Sequence, residues 1–208
     1  MIILSLSYYH SLPLLSTKIN SLLETIPSLE EARILLLKIK PLFKIESPAS
    51  KRVLHSIENS LILKLARNLR LLVIDPSNQE NIELFINTLQ WSDCLDHDTL
   101  AAILEGEFFN QWLFVLYSWV HQENVNWNEV VNWIEGWRSL FPQLLLDNPF
   151  VIKQFNRGWD IVNDCLDHTN KVDPSYFEKP ISYINVIQNR RLAEKQSEIK
   201  KVRFVVFD

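Results

Sequence analysis

The sequence predicts an all-α protein, an antiparallel helical bundle or superhelix, and three observations carry that prediction. Only 3 of the 208 residues are glycine: Gly106, Gly136 and Gly158. Average usage of about 7 % would give roughly five times as many. Phosphate-cradling loops, dinucleotide fingerprints and two-residue hairpins need glycine where φ is positive or a ligand comes close to the backbone. A Walker loop, a Rossmann site and a hairpin-rich sandwich are thereby disfavoured. The second observation is a repeated start signal, a capping residue directly before proline, at Ser47-Pro48, Asp75-Pro76, Asn148-Pro149 and Asp173-Pro174. The capping oxygen accepts from an orphan backbone N–H, and proline at the first helical position has no N–H to leave unpaired. The third is apolar spacing near 3.6 residues through most of the chain.

In chain order, Ser28 with Glu31 reads as a capping box just after Pro27. Leu54, Ile57, Leu61, Leu65, Leu69 and Leu72 form one stripe over 48–73, and Ile82, Phe85, Ile86 and Leu89 do so for 77–90. The segment 98–121 is apolar on most sides, through Phe108, Phe109, Trp112, Phe114, Val115, Leu116 and Trp119, and is expected to be a central buried helix. Val130, Trp133, Ile134, Trp137, Leu140 and Phe141 share a face in 126–141, as do Phe150, Ile152, Phe155, Trp159, Val162 and Leu166 in 149–167. Short connectors imply neighbours packed antiparallel. No repeat recurs at a fixed period.

The expected organisation is an extended docking segment at 1–12, a helical domain at 13–170, and a basic helix with a C-terminal strand or tail at 171–208. Residues 183–201 carry Arg190, Arg191, Lys195, Lys200 and Lys201. Val202 to Phe207 are β-branched and aromatic, which suits a short strand. Such a strand needs a partner, so Arg190, Arg191, Phe204 and Phe207 are candidate partner-binding residues.

Net charge is -4 at pH 7, but it is unevenly spread: +5 over 1–74, -12 over 75–170 and +3 over 171–208. The acidic, tryptophan-rich middle repels phosphate, which leaves only the basic ends for RNA contact. Two cysteines, Cys94 and Cys165, cannot build a disulfide framework and point to a reducing compartment. The first lysine is Lys18, and His10 and Pro13 break the opening apolar run, so it reads poorly as a signal peptide. No apolar run approaches the roughly 20 residues of a membrane span. A soluble, intracellular protein with no membrane partner is expected.

Three constellations bear on chemistry. Cys-Leu-Asp-His occurs at 94–97 and 165–168, and two Cys/His pairs could complete a tetrahedral zinc site. Free cysteines more often serve as small buried apolar groups, so no metal is expected. Asp160, Asp164 and Asp167 share a helical face, with a second cluster at Asp93, Asp96 and Asp98. Paired carboxylates could serve a Mg²⁺-dependent enzyme, but no basic group accompanies them to hold a phosphate. The five histidines and the serines fall in no nucleophile motif. No cofactor or catalytic residue is therefore assigned, and the expected protein is not an enzyme. The tryptophan stripes read as core, with Gly136 beside Trp133 and Trp137 placed to let another backbone come close.

The stretch Glu107-Phe-Phe-Asn-Gln-Trp-Leu-Phe-Val-Leu-Tyr-Ser-Trp119, then Glu129 to Trp133, then Gly136-Trp-Arg-Ser-Leu-Phe141 resembles the core of the GC-rich-sequence-DNA-binding-factor-like (GCFC) domain. It is most similar to the version in the tuftelin-interacting-protein and fungal nineteen-complex-related G-patch splicing factors. Pro149-Phe-Val-Ile-Lys-Gln-Phe155, Trp159 to Asn163, and upstream Ile74-Asp-Pro76, Gln79 and Trp91 agree in order and spacing. The resemblance is strongest over 75–168 and extends over about 12–190. Its signature is Trp133, Gly136, Trp137 and Arg138, with Trp112 and Trp119 upstream, all read as structural.

This resemblance implies a nuclear, non-enzymatic scaffold of pre-mRNA splicing. Its expected partners are spliceosomal proteins and, through the G-patch of a parent protein, the DEAH-box helicase that dismantles the intron-lariat spliceosome. Three scattered glycines cannot form that patch, so the chain is expected to be the C-terminal region of a longer protein or a member without that activity. It also has Ile39-Lys-Pro-Leu-Phe43 where the family pattern places a tryptophan. The alternatives are a Mg²⁺-dependent helical enzyme and an RNA-binding module using the basic ends.

Overall fold

The computed structural model describes residues 14, 17–19, 21, 25–26, 28–43, 48–167, 172 and 181–206. Every regular element among them is helical, as the sequence predicts. The chain packs as two compact units, Met1–Leu71 with Glu83–Leu95, and Leu72–Ile82 with Asp96–Asp208.

The first unit is built from α1 (Leu29–Ile39), a 3₁₀ turn (Lys40–Phe43), α2 (Pro48–Leu69), most of α3 (Ile82–Leu89) and a second 3₁₀ turn (Gln90–Asp93). Ser28 starts α1 as predicted, its side chain accepting from the Glu31 N–H at 3.1 Å. The predicted α2 stripe forms the core: Ile57, Leu61, Leu65 and Leu69 are buried, together with Leu36, Phe85 and Trp91. Lysine heads tie the chain ends of this core: Lys64 Nζ donates to the Ile26 carbonyl at 2.7 Å. Lys40 Nζ donates to the Cys94 carbonyl at 2.7 Å and lies 3.0 Å from Glu58 Oε1. Arg33 bridges Glu30 and Asp93.

The second unit contains α4 (His97–Leu104), a π-helical turn (Glu105–Phe109), α5 (Asn110–Val120), α6 (Trp127–Ser139), a short α7 (Gln143–Leu146), α8 (Pro149–Leu166) and α9 (Tyr183–Val206). The expected buried helix at 98–121 is thus one continuous rod with a π insertion at its centre. Asp96 caps α4, Asn126 caps α6, and Asn148 caps α8 with Pro149 in its first turn. The rod's apolar surface meets the other helices in an aromatic cluster. Phe109 and Phe155 meet edge-on at 5.2 Å, and Phe108 lies 5.1 Å from Trp137. Burying one such ring is worth about 1.5–3 kcal/mol.

Two expectations are corrected. The expected terminal strand is helix, since Val202 to Val206 continue α9. A lone strand would leave its ladder groups unpaired, whereas extending an existing helix adds one hydrogen bond per residue fixed. Nor does Asp75 cap a helix. Its Oδ1 accepts from the Ser77 N–H and hydroxyl at 2.9 and 2.7 Å, closing a local turn, and α3 begins only at Ile82. Gln79 donates to the Val73 and Glu80 carbonyls and accepts from the Asp75 N–H, which satisfies the loop backbone without helix. The docking segment at 1–12 and the caps at Ser47 and Asp173 lie outside the described residues.

Turns here do without glycine. Among the described residues the positive-φ positions are Asn81 and Asn124, and asparagine tolerates that region through local hydrogen bonding. The glycines answer to packing instead. A Cβ on Gly106 would sit 2.6 Å from the Ser182 carbonyl carbon, and one on Gly158 would sit 2.8 Å from the Trp112 ring. At Gly136, where a close approach was expected, nothing lies within 4 Å among the described residues.

Gly106→Ala is therefore expected to destabilise the fold by about 1–3 kcal/mol through overpacking. Gly136→Ala should instead stabilise it by about 0.5–1 kcal/mol, because alanine is the better helix former. Urea unfolding midpoints of the two variants check this pair of opposite signs.

Candidate partner interface

Two carboxylates flank Gly106 in the π turn of a mostly apolar rod, and both point to α9. Glu107 is 7 % exposed. Its Oε1 accepts from the Tyr183 N–H at 2.9 Å, the first amide of α9. That amide is an orphan donor at the positive end of the helix dipole, so a carboxylate there satisfies both groups at once. Glu105 Oε2 lies 2.6 Å from Arg190 Nη2, seven residues further along α9. Gly106, between them, allows the Ser182–Tyr183 backbone to lie against the rod. The π turn brings all three onto the α9 side, in keeping with the local role such insertions play.

Arg190 is the second anchor. Its guanidinium carbon stands 3.4 Å over the Phe150 ring, and Nη1 donates to the Asp98 carbonyl at 3.2 Å. Asp98 Oδ1 in turn accepts from Asn148 Nδ2 at 2.8 Å. The starts of α4 and α8 are thereby joined to α9 through one arginine. Val186, between the two anchors along α9, is 3 % exposed. Burial together with the charge of Asp96 raises the Tyr183 hydroxyl pKa above its ordinary value.

Beyond Arg190 the support stops. Residues 191–199 are all exposed, among them Leu192 at 57 % and Ile199 at 58 %. These two lie seven residues apart, on one helical face. An isolated helical segment of this length is marginal in water, so this half of α9 is the part of the described chain best suited to meet another molecule.

The four partner-binding candidates therefore separate. Arg190 is spent on contacts within the chain, while Arg191 is exposed on the outer half. Phe204 lies in the last turns of α9, and Phe207 falls outside the described residues.

The tryptophans serve the core. Trp112 and Trp133 stack in parallel at 5.2 Å, and Trp119 meets Trp133 edge-on at 5.8 Å. The ring of Trp137 is buried beside Phe108. Arg138 is exposed, 3.7 Å from Glu135 on its own helix.

The carboxylate clusters are mostly drawn into structural contacts. Asp93 pairs with Arg33, Asp96 accepts from the Thr99 N–H, and Asp98 holds Asn148. Asp164 is buried and accepts from the Val172 N–H at 3.0 Å, while Asp160 and Asp167 are exposed. The Cys94 thiol faces the Trp91 carbonyl, and burial pushes its pKa up to about 12. Cys165 donates to the Val120 carbonyl at 3.0 Å, and His168 lies outside the described residues. Among the described residues no group of three His, Cys, Asp or Glu side chains is arranged to hold a metal, and no helix is long and apolar enough to cross a membrane.

The anchors Glu105, Gly106 and Glu107 were not singled out from sequence. The available signal was two acids inside a helix apolar on most sides, since such residues are almost never fully buried without a partner.

A family model described as GC-rich sequence DNA-binding factor-like protein matches residues 9–116, about half of the chain. The tryptophan signature at 133–138 lies beyond that span. A G-patch domain-containing protein of Schizosaccharomyces pombe is 36 % identical over 108 residues, which is 52 % of this chain and 13 % of the relative. Tuftelin-interacting protein 11 of Xenopus tropicalis is 32 % identical over 151 residues, 73 % of this chain and 18 % of the relative. The same-named protein of Gallus gallus is 30 % identical over 151 residues, 73 % and 17 % respectively. The chain spans less than a fifth of the length of these curated relatives.

Arg190→Ala is expected to cost about 2 kcal/mol, since it removes a partly buried charge pair and a cation–π contact together. Arg190→Lys should recover less than half, because an ammonium cannot reproduce the flat fork. Urea unfolding of both variants, of Glu105→Gln alone and of Glu105→Gln combined with Arg190→Ala gives the coupling directly.

Proposed function

The chain belongs to the GC-rich sequence DNA-binding factor-like family, and on that premise we propose that it is a non-enzymatic helical scaffold of nuclear pre-mRNA splicing. In this reading it anchors a helicase-activating G-patch protein to the spliceosome after intron-lariat release, for disassembly. One observation carries the reading: a helix fixed at one end by partly buried polar contacts and exposed on all its residues from 191 to 199. A fixed base gives direction, and an uncommitted outer half gives a surface for a second chain.

The family resemblance supplies the splicing context, and a relative named for its G-patch domain supports the link to a helicase activator. Helicase contact would come through the G-patch of a parent protein, with spliceosomal proteins as the direct partners of this region. The acidic middle disfavours nucleic acid there, which favours protein partners over RNA. The roles found for Asp93, Asp96, Asp98 and Asp164 favour a scaffold over a Mg²⁺-dependent enzyme.

Co-purification of the full-length parent from nuclear extract tests the proposal. The wild-type protein is expected to recover splicing proteins and a DEAH-box helicase. The Leu192→Glu, Ile199→Glu double variant should lose at least about tenfold of the spliceosomal proteins, the loss expected when two apolar anchors of an interface are replaced. Recovery of no splicing protein by the wild type, or equal recovery by the variant, would contradict the scaffold reading.

A further inference from the structure

The second unit also carries a cleft of about 480 Å³ along the part of the rod that follows the π turn. Its size falls within the range of ligand and side-chain sites. It is lined by Phe114, Ser118 and Trp119 of α5, by the turn at Asp75 and by Glu129 in the first turn of α6. Phe114 is half exposed, an unusual position for a large ring in a unit that buries Phe108, Phe109 and Phe155. Among the described residues no lysine or arginine lines the cleft.

Its two carboxylates are held in place by their own neighbours. Asp75 is fixed by the N–H and hydroxyl of Ser77, and those bonds hold its carboxyl below the ordinary range, so it stays charged. Glu129 Oε1 accepts from Asn126 Nδ2 at 2.8 Å, the same side chain that caps α6. A carboxylate has lone pairs beyond those used here. The cleft therefore joins aromatic faces to two oriented negative charges, within a segment whose net charge is -12.

We propose that this cleft is a docking site for a basic peptide segment of another protein, and that it receives an arginine side chain between Trp119, Phe114 and the Asp75 and Glu129 carboxylates. Two features select arginine. Its flat guanidinium stacks on aromatic rings while its edge binds carboxylates in a fork, and it gives up its hydration more readily than an ammonium does. Gln122 and Ser118, both on the cleft wall, supply polar groups for the peptide backbone on either side. The proposal stands on the chemistry of the cleft and does not depend on a role in splicing.

Isothermal titration of the full chain with three peptides tests it: acetyl-Gly-Arg-Gly-Arg-Gly-Arg amide, its lysine counterpart and its citrulline counterpart. The arginine peptide is expected to bind, the lysine peptide more weakly by at least about threefold, and citrulline, which keeps the shape without the charge, not measurably. Glu129→Gln should weaken the arginine peptide about tenfold and flatten its salt dependence. Phe114→Ser, at a half-exposed position, should weaken it several-fold, and so should Trp119→Leu, each with a urea midpoint matching that of the wild type. Equal binding of the citrulline peptide, or binding unchanged in both Glu129→Gln and Phe114→Ser, would overturn the proposal. So would self-association of the wild-type chain that Glu129→Gln abolishes, since that assigns the cleft to a second copy.

Discussion

A carboxylate placed inside an apolar helix must find a donor or give up its charge, and in this protein that requirement fixes where α9 lies. Taking Glu107 out of water would cost several kcal/mol if it were left unpaired. The Tyr183 amide, itself an orphan at the start of a helix, repays the cost at 2.9 Å. Neither group could be buried alone. Gly106 follows from the same constraint: the amide can reach the carboxylate only if the backbone of Ser182 and Tyr183 lies flat on the rod, where a Cβ would stand. Arg190 then sets the angle at which the helix departs, through Glu105, Phe150 and the Asp98 carbonyl.

The remainder of the second unit is arranged to make that seat rigid. The aromatic cluster of Phe109, Trp112, Phe155 and their neighbours immobilises the rod that carries the π turn. Its cost is visible in the buried indole N–H groups of Trp112 and Trp133, which find no hydrogen-bond partner among the described residues. Each such group forfeits roughly 1–3 kcal/mol. The area buried by stacked and edge-on rings outweighs it, because each fully buried aromatic contributes about as much again and the cluster holds many. Stability is concentrated around the rod, and the exposed outer half of α9 draws little from it.

The sequence made some of this legible and hid the rest for identifiable reasons. Helical class, the α2 stripe and the Asn148-Pro149 start were readable because period and capping are local properties. The Asp75-Pro76 pair carried the same local signal and formed a turn, since Ser77 and Gln79 compete for the groups a helix would have used. Val202 to Val206 have strand composition, yet a helix already running from Tyr183 overrides it. Of the candidate site, Arg190 was found by its basic character but assigned to a partner, because nothing local reveals a contact with Glu105 across 85 residues. Gly136 was read as a point of close approach from its place in a tryptophan motif. The close approaches are at Gly106 and Gly158, whose neighbours come from distant parts of the chain.

The central claim is that partly buried polar contacts hold the base of α9 while its outer half goes unsupported in the isolated chain. Amide hydrogen exchange of the free protein, followed residue by residue along 183–199, tests this most directly. Amides of 187–190 should exchange with an opening free energy within about 1 kcal/mol of global unfolding, and those of 193–199 within about 1 kcal/mol of an unprotected helix end. Uniform protection along the whole helix, or equally fast exchange at its base, would contradict the account.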